Sequence, residues 1–314
     1  MISNRILTLC LNPSIDSILS VNTILLYSKN ILEGSRLFYG GKGINVAYAL
    51  GKLGTNVIAT GFIGREDEEA FSRKLSAVGA ETCLLAVNGQ TRKTYKIVEG
   101  ARGKDTEFNE KGFTVTAEDQ TELIALLDRL LNDAGWLVLT GSLPPGLPES
   151  FYKTLILKAR THKLIICLDA SGVTLREGAQ ARPDVLRINR SELEELVGIE
   201  LPDVQSISWA IKETAQKGIR NVVVSLGAEG VLASDDGRII RVRTPKVEVK
   251  SLTGAGDTMI AGIVYQLSRG IEFQESVRFG AALATASVLR FEPGDFDPED
   301  LRRILQNTVV EQIN

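Results

Sequence analysis

Histidine occurs once in 314 residues, at His162, so paired-histidine zinc arrangements such as H-E-x-x-H cannot be built from this chain. Its place near a helix end beside Lys163 gives His162 a surface role. Cysteine is nearly as scarce. Cys10, Cys83 and Cys167 lie far apart in apolar, strand-like runs, the setting of reduced core thiols rather than of disulfides or a metal cage. That usage points to the cytoplasm. A surplus of one charge is missing too: 36 basic and 39 acidic residues leave a formal charge of −3 without long blocks of either sign. The chain therefore lacks the electrostatic footprint of a nucleic-acid or anionic-membrane binder. No apolar run is long enough to span a bilayer. The run Ile6 to Leu11 also lacks the length and cleavage pattern of a signal peptide, and it reads as a first buried strand. Linkers rich in Pro, Gly or Ser are absent, as are internal repeats and low-complexity tracts. What remains is small-molecule chemistry on a chain whose 44% apolar content can fill one large α/β core plus a small appendage.

Periodicity orders that core. Helical spacing covers Gly43 to Leu53, Asp67 to Val78, Ala117 to Asn132 and Glu149 to Thr161; strands are expected at Val57 to Phe62, Cys83 to Val87, Trp136 to Thr140, Leu164 to Asp169, Val185 to Asn189 and Val222 to Leu226. These strands are continuous apolar runs, as in parallel sheets buried on both faces, so a doubly wound α/β/α sandwich is expected. Residues 14–39 and 89–113 break the rhythm, with short alternating segments such as Lys93 to Val98. Together they read as a discontinuous β-lid over a core made of 1–13, 40–88 and 114–314, closing on the carboxyl edge of the sheet where open α/β folds bind ligands.

Two glycine turns carry the chemistry. Leu252-Thr253-Gly254-Ala255-Gly256-Asp257-Thr258 stands between the strand-like Lys246 to Val249 and a helix marked by Met259, Ile260, Ile263, Val264 and Leu267, which Gly270 stops. Free N–H groups and the positive helix end suit a phosphate or a developing oxyanion, and Asp257 stands beside them as a base or as an ordinary helix cap. The second turn, Gly40-Gly41-Lys42-Gly43-Ile44-Asn45-Val46-Ala47, opens a helix. It is either a flexible turn or a close approach of backbone to ligand, with Lys42 and Asn45 adding charge and hydrogen bonds. The pairs Gly41-Lys42, Gly51-Lys52 and Gly103-Lys104 lack the Ser/Thr and earlier glycine of a Walker A loop, and Met259 stands where a dinucleotide fingerprint needs its third small residue. Ser142, in Gly141-Ser142-Leu143-Pro144, is not in a nucleophile elbow.

The two turns, with Asn12-Pro13-Ser14-Ile15-Asp16 and Asn189-x-x-Glu192, resemble the ribokinase-like carbohydrate kinases of the PfkB family across nearly the whole chain. The resemblance implies a three-layer α/β/α sandwich with a mainly parallel sheet and a small β-lid. Gly40 and Gly41 would contact the sugar, and Asp257 would be the catalytic base behind an anion hole of Gly254, Ala255 and Gly256. Gln90-Thr91-Arg92 and Ser225-Leu226-Gly227-Ala228-Glu229-Gly230 resemble the phosphosugar branch, which includes 1-phosphofructokinases, tagatose-6-phosphate kinases and minor 6-phosphofructokinases. Thr106 to Asn109 and Gly112 to Thr116 are most similar to the first of these.

That likeness implies ATP-dependent phosphorylation of a ketohexose phosphate, fructose 1-phosphate to fructose 1,6-bisphosphate. Tagatose 6-phosphate and fructose 6-phosphate are the alternative substrates, and an idle sugar-phosphate-binding regulator is the alternative class. It further implies that Asp16 and Asn45 bind sugar hydroxyls, while Lys29, Lys42 and Arg92 hold the substrate phosphate away from the transfer centre. Asn189 and Glu192 would act near the nucleotide through Mg²⁺ and its waters, Glu192 as the water-mediated metal contact, or else only cap a helix. Thr253, Ser225 and Gly227 would line the nucleotide side. Relatives carry Lys-Pro before that asparagine, where this chain has Arg187-Ile188. K⁺ is a further candidate cofactor, a homodimer through the lid the implied assembly, and Ala281 to Leu289 a buried helix whose small residues serve packing.

Overall fold

The computed structural model describes residues 3–101, 104–235 and 237–313; Gly103 of the third Gly-Lys pair lies outside them. The chain begins with β1 (Ile6–Cys10), leaves the core for β2 (Ser14–Val21) and β3 (Gly34–Gly40), and returns through α1 (Lys42–Lys52), β4 (Val57–Gly64), α2 (Glu68–Ser76) and β5 (Glu81–Val87). A second excursion makes β6 (Arg92–Glu99) and β7 (Lys104–Asn109). Alternation then resumes with α3 (Ala117–Leu131), β8 (Trp136–Thr140), α4 (Phe151–Thr161), β9 (Ile165–Asp169), α5 (Gly172–Gln180), β10 (Val185–Asn189) and α6 (Arg190–Val197). After α7 (Val204–Gln216) come β11 (Asn221–Ser225), β12 (Val231–Asp235), β13 (Arg238–Arg243), α8 (Ala255–Ser268), α9 (Phe273–Ser287), α10 (Pro298–Gln306) and β14 (Val309–Ile313).

Among the described residues the large sheet has the order β14-β13-β12-β11-β10-β9-β8-β1-β4-β5. Every pair from β11 to β5 is parallel. Strand β1 shows why its sequence is apolar throughout: Leu7 and Leu9 enter the core shared with α3 and α4, while Ile6 and Cys10 face α1, α2 and α8. From β1 the chain moves to β4 on one side and later to β8 on the other, so a crevice opens at this reversal, above the carboxyl ends of the strands. The excursions pair as a four-stranded sheet, β3-β2-β6-β7, with Ser14 opposite both Gly40 and Arg92.

Two expectations need correction. Lys246 to Val249 forms no strand: it follows Pro245, which cannot donate to a ladder, and Val247 packs on a core cluster while Val249 is exposed. The segment is fastened instead by the N–H groups of Lys250 and Ser251, both donating to the Val288 carbonyl. The antiparallel strands β12 and β13, and β14 beyond them, extend the sheet where no strand was expected. The Ala281 to Leu289 helix is α9, ending at Ser287. Its small residues do serve packing: Ala281 and Ala284 are buried in one core cluster and Ala282 and Ala286 in another, and just before them a Cβ on Gly262 of α8 would lie 2.8 Å from the Gly280 Cα.

Candidate active site

The loop leaving β1 and the N-terminus of α1 form one wall. Gly41 has φ +104°, and a side chain there would press on the Pro13 Cα at 2.8 Å; a Cβ on Gly40 would sit 2.8 Å from Asp16 Oδ2. These glycines bring Asp16 of β2 over Asn45 of α1. Burial pushes the Asp16 carboxyl above its usual range, with the Ser14 hydroxyl and Arg92 pulling the other way. Asn45 donates through Nδ2 to Asp257 Oδ2 at 2.8 Å, while its own Oδ1 is buried and makes no hydrogen bond. An acceptor left open in this way suits a ligand hydroxyl.

The second wall is the start of α8. Gly254 is left-handed (φ +79°), a conformation that favours glycine, and a Cβ there would lie 3.0 Å from the Pro293 Cα. The turn is closed by the Thr258 N–H, which donates to the Gly254 carbonyl at 2.8 Å. The Ala255 N–H reaches the Leu252 carbonyl only at 3.3 Å, a long bond for which a phosphoryl oxygen would compete. Asp257 is 5% exposed in the first turn. Burial raises its pKa to about 6; Lys42 opposes that rise, Asp169 adds to it, and Asn45 and Arg187 again oppose.

A buried ion-pair cluster lies beneath. Asp169, at the end of β9, accepts from Lys42 Nζ at 2.6 Å and from Arg187 Nη1 at 2.9 Å. Burial works against the charge of Asp169, but Lys42 and Arg187 outweigh it and hold its carboxyl below the ordinary value. Burial likewise opposes the Lys42 ammonium, and Asp169 and Asp257 overcome it, leaving Lys42 above its usual value. Arg187 is 7% exposed, reaches Ser225 Oγ at 2.8 Å, and keeps a buried Nε without a partner. Its guanidinium underlies the anion turn: a Cβ on Gly256 would collide with it, 2.7 Å from Cζ.

Lys42 joins the expected sugar-side residues in one place. It is tied to Asp169 and lies next to Asp257, on the same cavity as Arg92 rather than apart from the carboxylates. Sequence reasoning gave Asp169 and Arg187 no role in the site: Asp169 showed only as a charge at the carboxyl end of an apolar strand, and Arg187 only as the residue standing where relatives carry the lysine of Lys-Pro.

The lid supplies Arg92 on β6. It is loosely held, with Nε 3.3 Å from the Asn12 carbonyl and Nη1 3.4 Å from Asn109 Oδ1. Asn109 is itself fixed by Thr94 Oγ1 at 3.0 Å and donates to Glu107 Oε1 at 2.8 Å. A cavity of about 320 Å³ joins Asp16, Lys42, Asn45, Arg92, Thr253 and Asp257. Lys29 is not among its lining residues; it sits exposed in the 22–33 segment between β2 and β3.

A second cavity, about 240 Å³, is lined by Asn189, Ser225 and Gly227. Asn189 and Glu192 form a capping box at α6, with Glu192 N–H donating to Asn189 Oδ1 at 2.9 Å and Asn189 N–H to Glu192 Oε2 at 2.8 Å. The cap reading of these residues is thus realised, and Glu192 Oε1 stands outside the box. Among the described residues no three His, Cys, Asp or Glu converge as a metal cage, and no helix is long and apolar enough to cross a membrane.

Together the two walls can hold a hydroxyl near a carboxylate of intermediate pKa and present N–H groups and cations to a transferring anionic group. The model of the pfkB family of carbohydrate kinases matches residues 11–300. The 1-phosphofructokinase of Vibrio cholerae is 34% identical over 308 residues, 98% of this chain and 97% of that protein. That of Escherichia coli K12 is 31% identical over 99% of this chain and all of its own length. Among solved structures, phosphofructokinase-2 from Escherichia coli in complex with potassium superposes with a TM-score of 0.88 at 29% identity, covering 96% of this chain and 98% of that one. The same enzyme in complex with fructose-6-phosphate gives 0.87 at the same identity and coverage.

Proposed function

The chain belongs to the pfkB family of carbohydrate kinases, and on that basis we propose that it transfers the terminal phosphoryl group of ATP to the 6-hydroxyl of fructose 1-phosphate, giving fructose 1,6-bisphosphate. The observation that carries this reading is Asp257, buried between Asn45 and the Gly254 turn with a pKa raised to about 6. A base poised just below neutral pH is ionised at working pH yet basic enough to take the proton of an attacking hydroxyl. Asp16 and Asn45 hold the sugar, Asn45 through its open Oδ1. The Gly254 and Gly256 turn, Lys42 and Arg187 receive the developing charge on the phosphoryl group. Arg92 takes the phosphate already on the sugar. Thr253, beside Gly254 in the first cavity, would meet the incoming end of the nucleotide, and the cavity lined by Asn189, Ser225 and Gly227 would take the rest of it.

Mg²⁺ arrives with ATP and neutralises phosphate charge when bound. The residues fit a water-mediated contact, because Glu192 keeps one carboxylate oxygen outside its capping box while no protein cage exists among the described residues. K⁺ belongs to the same reading, since phosphofructokinase-2 was solved with it; comparing rates in K⁺ and Na⁺ buffers tests it. The lid exposes Leu26, Tyr27, Ile31, Leu37 and Phe108, an apolar surface suited to a second copy of the chain. A homodimer through this face would carry Lys29 at its contact, and a monomer by sedimentation would refute it.

The structure in complex with fructose-6-phosphate favours that sugar as a second substrate reading. A coupled ADP-release assay on fructose 1-phosphate, fructose 6-phosphate, tagatose 6-phosphate and unphosphorylated fructose separates the two. The highest kcat/KM should fall on fructose 1-phosphate, and equal inactivity on all four would refute the kinase reading.

A further inference from the structure

Between α9 and α10 the chain runs Arg290-Phe291-Glu292-Pro293-Gly294-Asp295-Phe296-Asp297, a segment that none of the sugar or nucleotide contacts above accounts for. It backs directly onto the transfer centre. Pro293 packs on Gly254, where a Cβ would also lie 3.3 Å from the Gly294 N, and a Cβ on Gly294 would meet the Asn45 carbonyl at 2.7 Å. The position of this segment therefore limits where both the anion turn and the helix carrying Asn45 can lie. Its far side is tied to the root of the lid. Lys74 of α2, whose side chain is 8% exposed, donates from Nζ to the Tyr39 carbonyl at 2.7 Å and pairs with Glu292 Oε1 at 3.0 Å. Tyr39 immediately precedes Gly40, the glycine against which Asp16 closes. The Lys74 ammonium also lies 4.9 Å from the Tyr48 ring centroid, and the Tyr39 ring meets Phe71 edge-on at 5.3 Å. A second link runs in parallel: the Arg36 guanidinium of β3 stacks 3.5 Å above the Phe291 ring.

Burying an ammonium that touches neither ligand costs several kcal/mol unless its partners repay it. Here the hydrogen-bonding partners are one backbone carbonyl at the lid hinge and one carboxylate on the segment behind the anion turn, with Asp16 and Asp295 adding attraction at longer range. We propose that Lys74 is a positioning residue for phosphoryl transfer, tying the root of the lid to the Phe291–Asp295 segment so that closing the lid on the sugar sets the anion turn in place. The inference rests on the kinase reading above. It gives Lys74 no contact with either substrate.

Lys74→Met and the double variant Lys74→Met/Glu292→Gln are compared with wild type in kcat, in KM for ATP and for fructose 1-phosphate, and in Tm. Misplacing reacting groups by about 1 Å costs up to about 100-fold in rate, so a fall in kcat of about tenfold is expected in both variants, with KM for ATP within about twofold. The second substitution removes the carboxylate left unpaired and should return Tm toward wild type while kcat stays low. A loss in kcat below about threefold in Lys74→Met, or recovery of kcat together with Tm in the double variant, overturns the proposal. If neither variant folds, Glu292→Ala cuts the same tie from its half-buried end: a kcat at least about threefold lower with KM for ATP within about twofold supports the link, and unchanged kcat refutes it. Wild-type inactivity on every phosphosugar would strike at the kinase reading and leave the packing argument for Lys74 standing.

Discussion

Asp257→Asn should abolish turnover and stabilise the fold, and the second effect is the more demanding test. Burial is the main reason its pKa rises from 3.8 to about 6. The folded chain thus prefers the protonated carboxyl more strongly than the unfolded chain does. Below about pH 4 the group is protonated in both states and costs nothing. Between pH 4 and 6 the unfolded chain releases its proton first, and the cost grows; above about pH 7 it is complete. At 1.36 kcal/mol per pKa unit the penalty approaches 3 kcal/mol. An asparagine keeps an acceptor for Asn45 Nδ2 and carries no charge, so it removes this penalty, while Lys42 retains Asp169.

With an unfolding entropy of roughly 2.1 cal/mol/K per residue, the variant should melt about 4–5 °C above wild type at pH 8, and the gap should close as the pH falls to 4. Differential scanning calorimetry across that range measures it. Turnover in the coupled assay should fall by at least about 10²–10⁴-fold, with sugar-phosphate binding retained by titration calorimetry. In the wild type, kcat/KM should decline below about pH 6 as Asp257 takes up its proton. A variant that melts no higher than wild type at pH 8, or a gap independent of pH, would refute the buried-charge argument; unchanged turnover would remove the base.

Gly256→Ala places a methyl group against the Arg187 guanidinium. Losing one preorganised donor costs on the order of 10²–10³ in kcat, so a loss of that size is expected with an unchanged far-ultraviolet circular dichroism spectrum; near-normal kcat would show that the turn receives no charge. Arg92→Met should raise KM for fructose 1-phosphate by about 10–100-fold, the effect of one charge-assisted hydrogen bond at roughly 1.5–3 kcal/mol. The weak reaction of unphosphorylated fructose should not change, and an equal effect on both sugars would place the phosphate elsewhere.

The core was legible because its strands are buried on both faces: Trp136 to Thr140 and Val185 to Asn189 are read correctly from apolar continuity alone. The β12–β13 hairpin was not, because at the end of the sheet its outward positions carry Asp235, Arg238 and Arg241, and the mixture dilutes the apolar signal. Lys246 to Val249 misled for the opposite reason. Alternation there reflects one anchored valine and one exposed valine on a segment with no ladder. Within the site, the two glycine turns were visible because glycine is demanded by the backbone itself, at Gly41 and Gly254. Asp169 and Arg187 were not, because Asp169 pairs with Lys42 across 127 residues, Arg187 with Ser225 across 38 and the two with each other across 18, and no local pattern links them. Lys29 stands exposed on the 22–33 segment, apart from the residues that line the first cavity.

On the proposed reading, the ion-pair cluster lets one cavity hold two cations and still leave Asp257 usable as a base. Were Lys42 and Arg187 to face Asp257 alone, both would lower its pKa, and a carboxylate fully paired in that way is a poor acceptor for a hydroxyl proton. Asp169 engages both cations, at 2.6 and 2.9 Å, and its own charge adds to the rise at Asp257. The cations are thereby held in place without neutralising the base. Their geometry is fixed before any phosphate arrives, so no side chain needs to reorganise as charge moves onto the transferring group. Asp169→Asn is the substitution that separates these roles. It should lower the apparent pKa of the base in the kcat/KM profile below about 6, as Lys42 turns to Asp257, and reduce kcat at every pH; an unmoved profile would show that Asp169 serves folding alone.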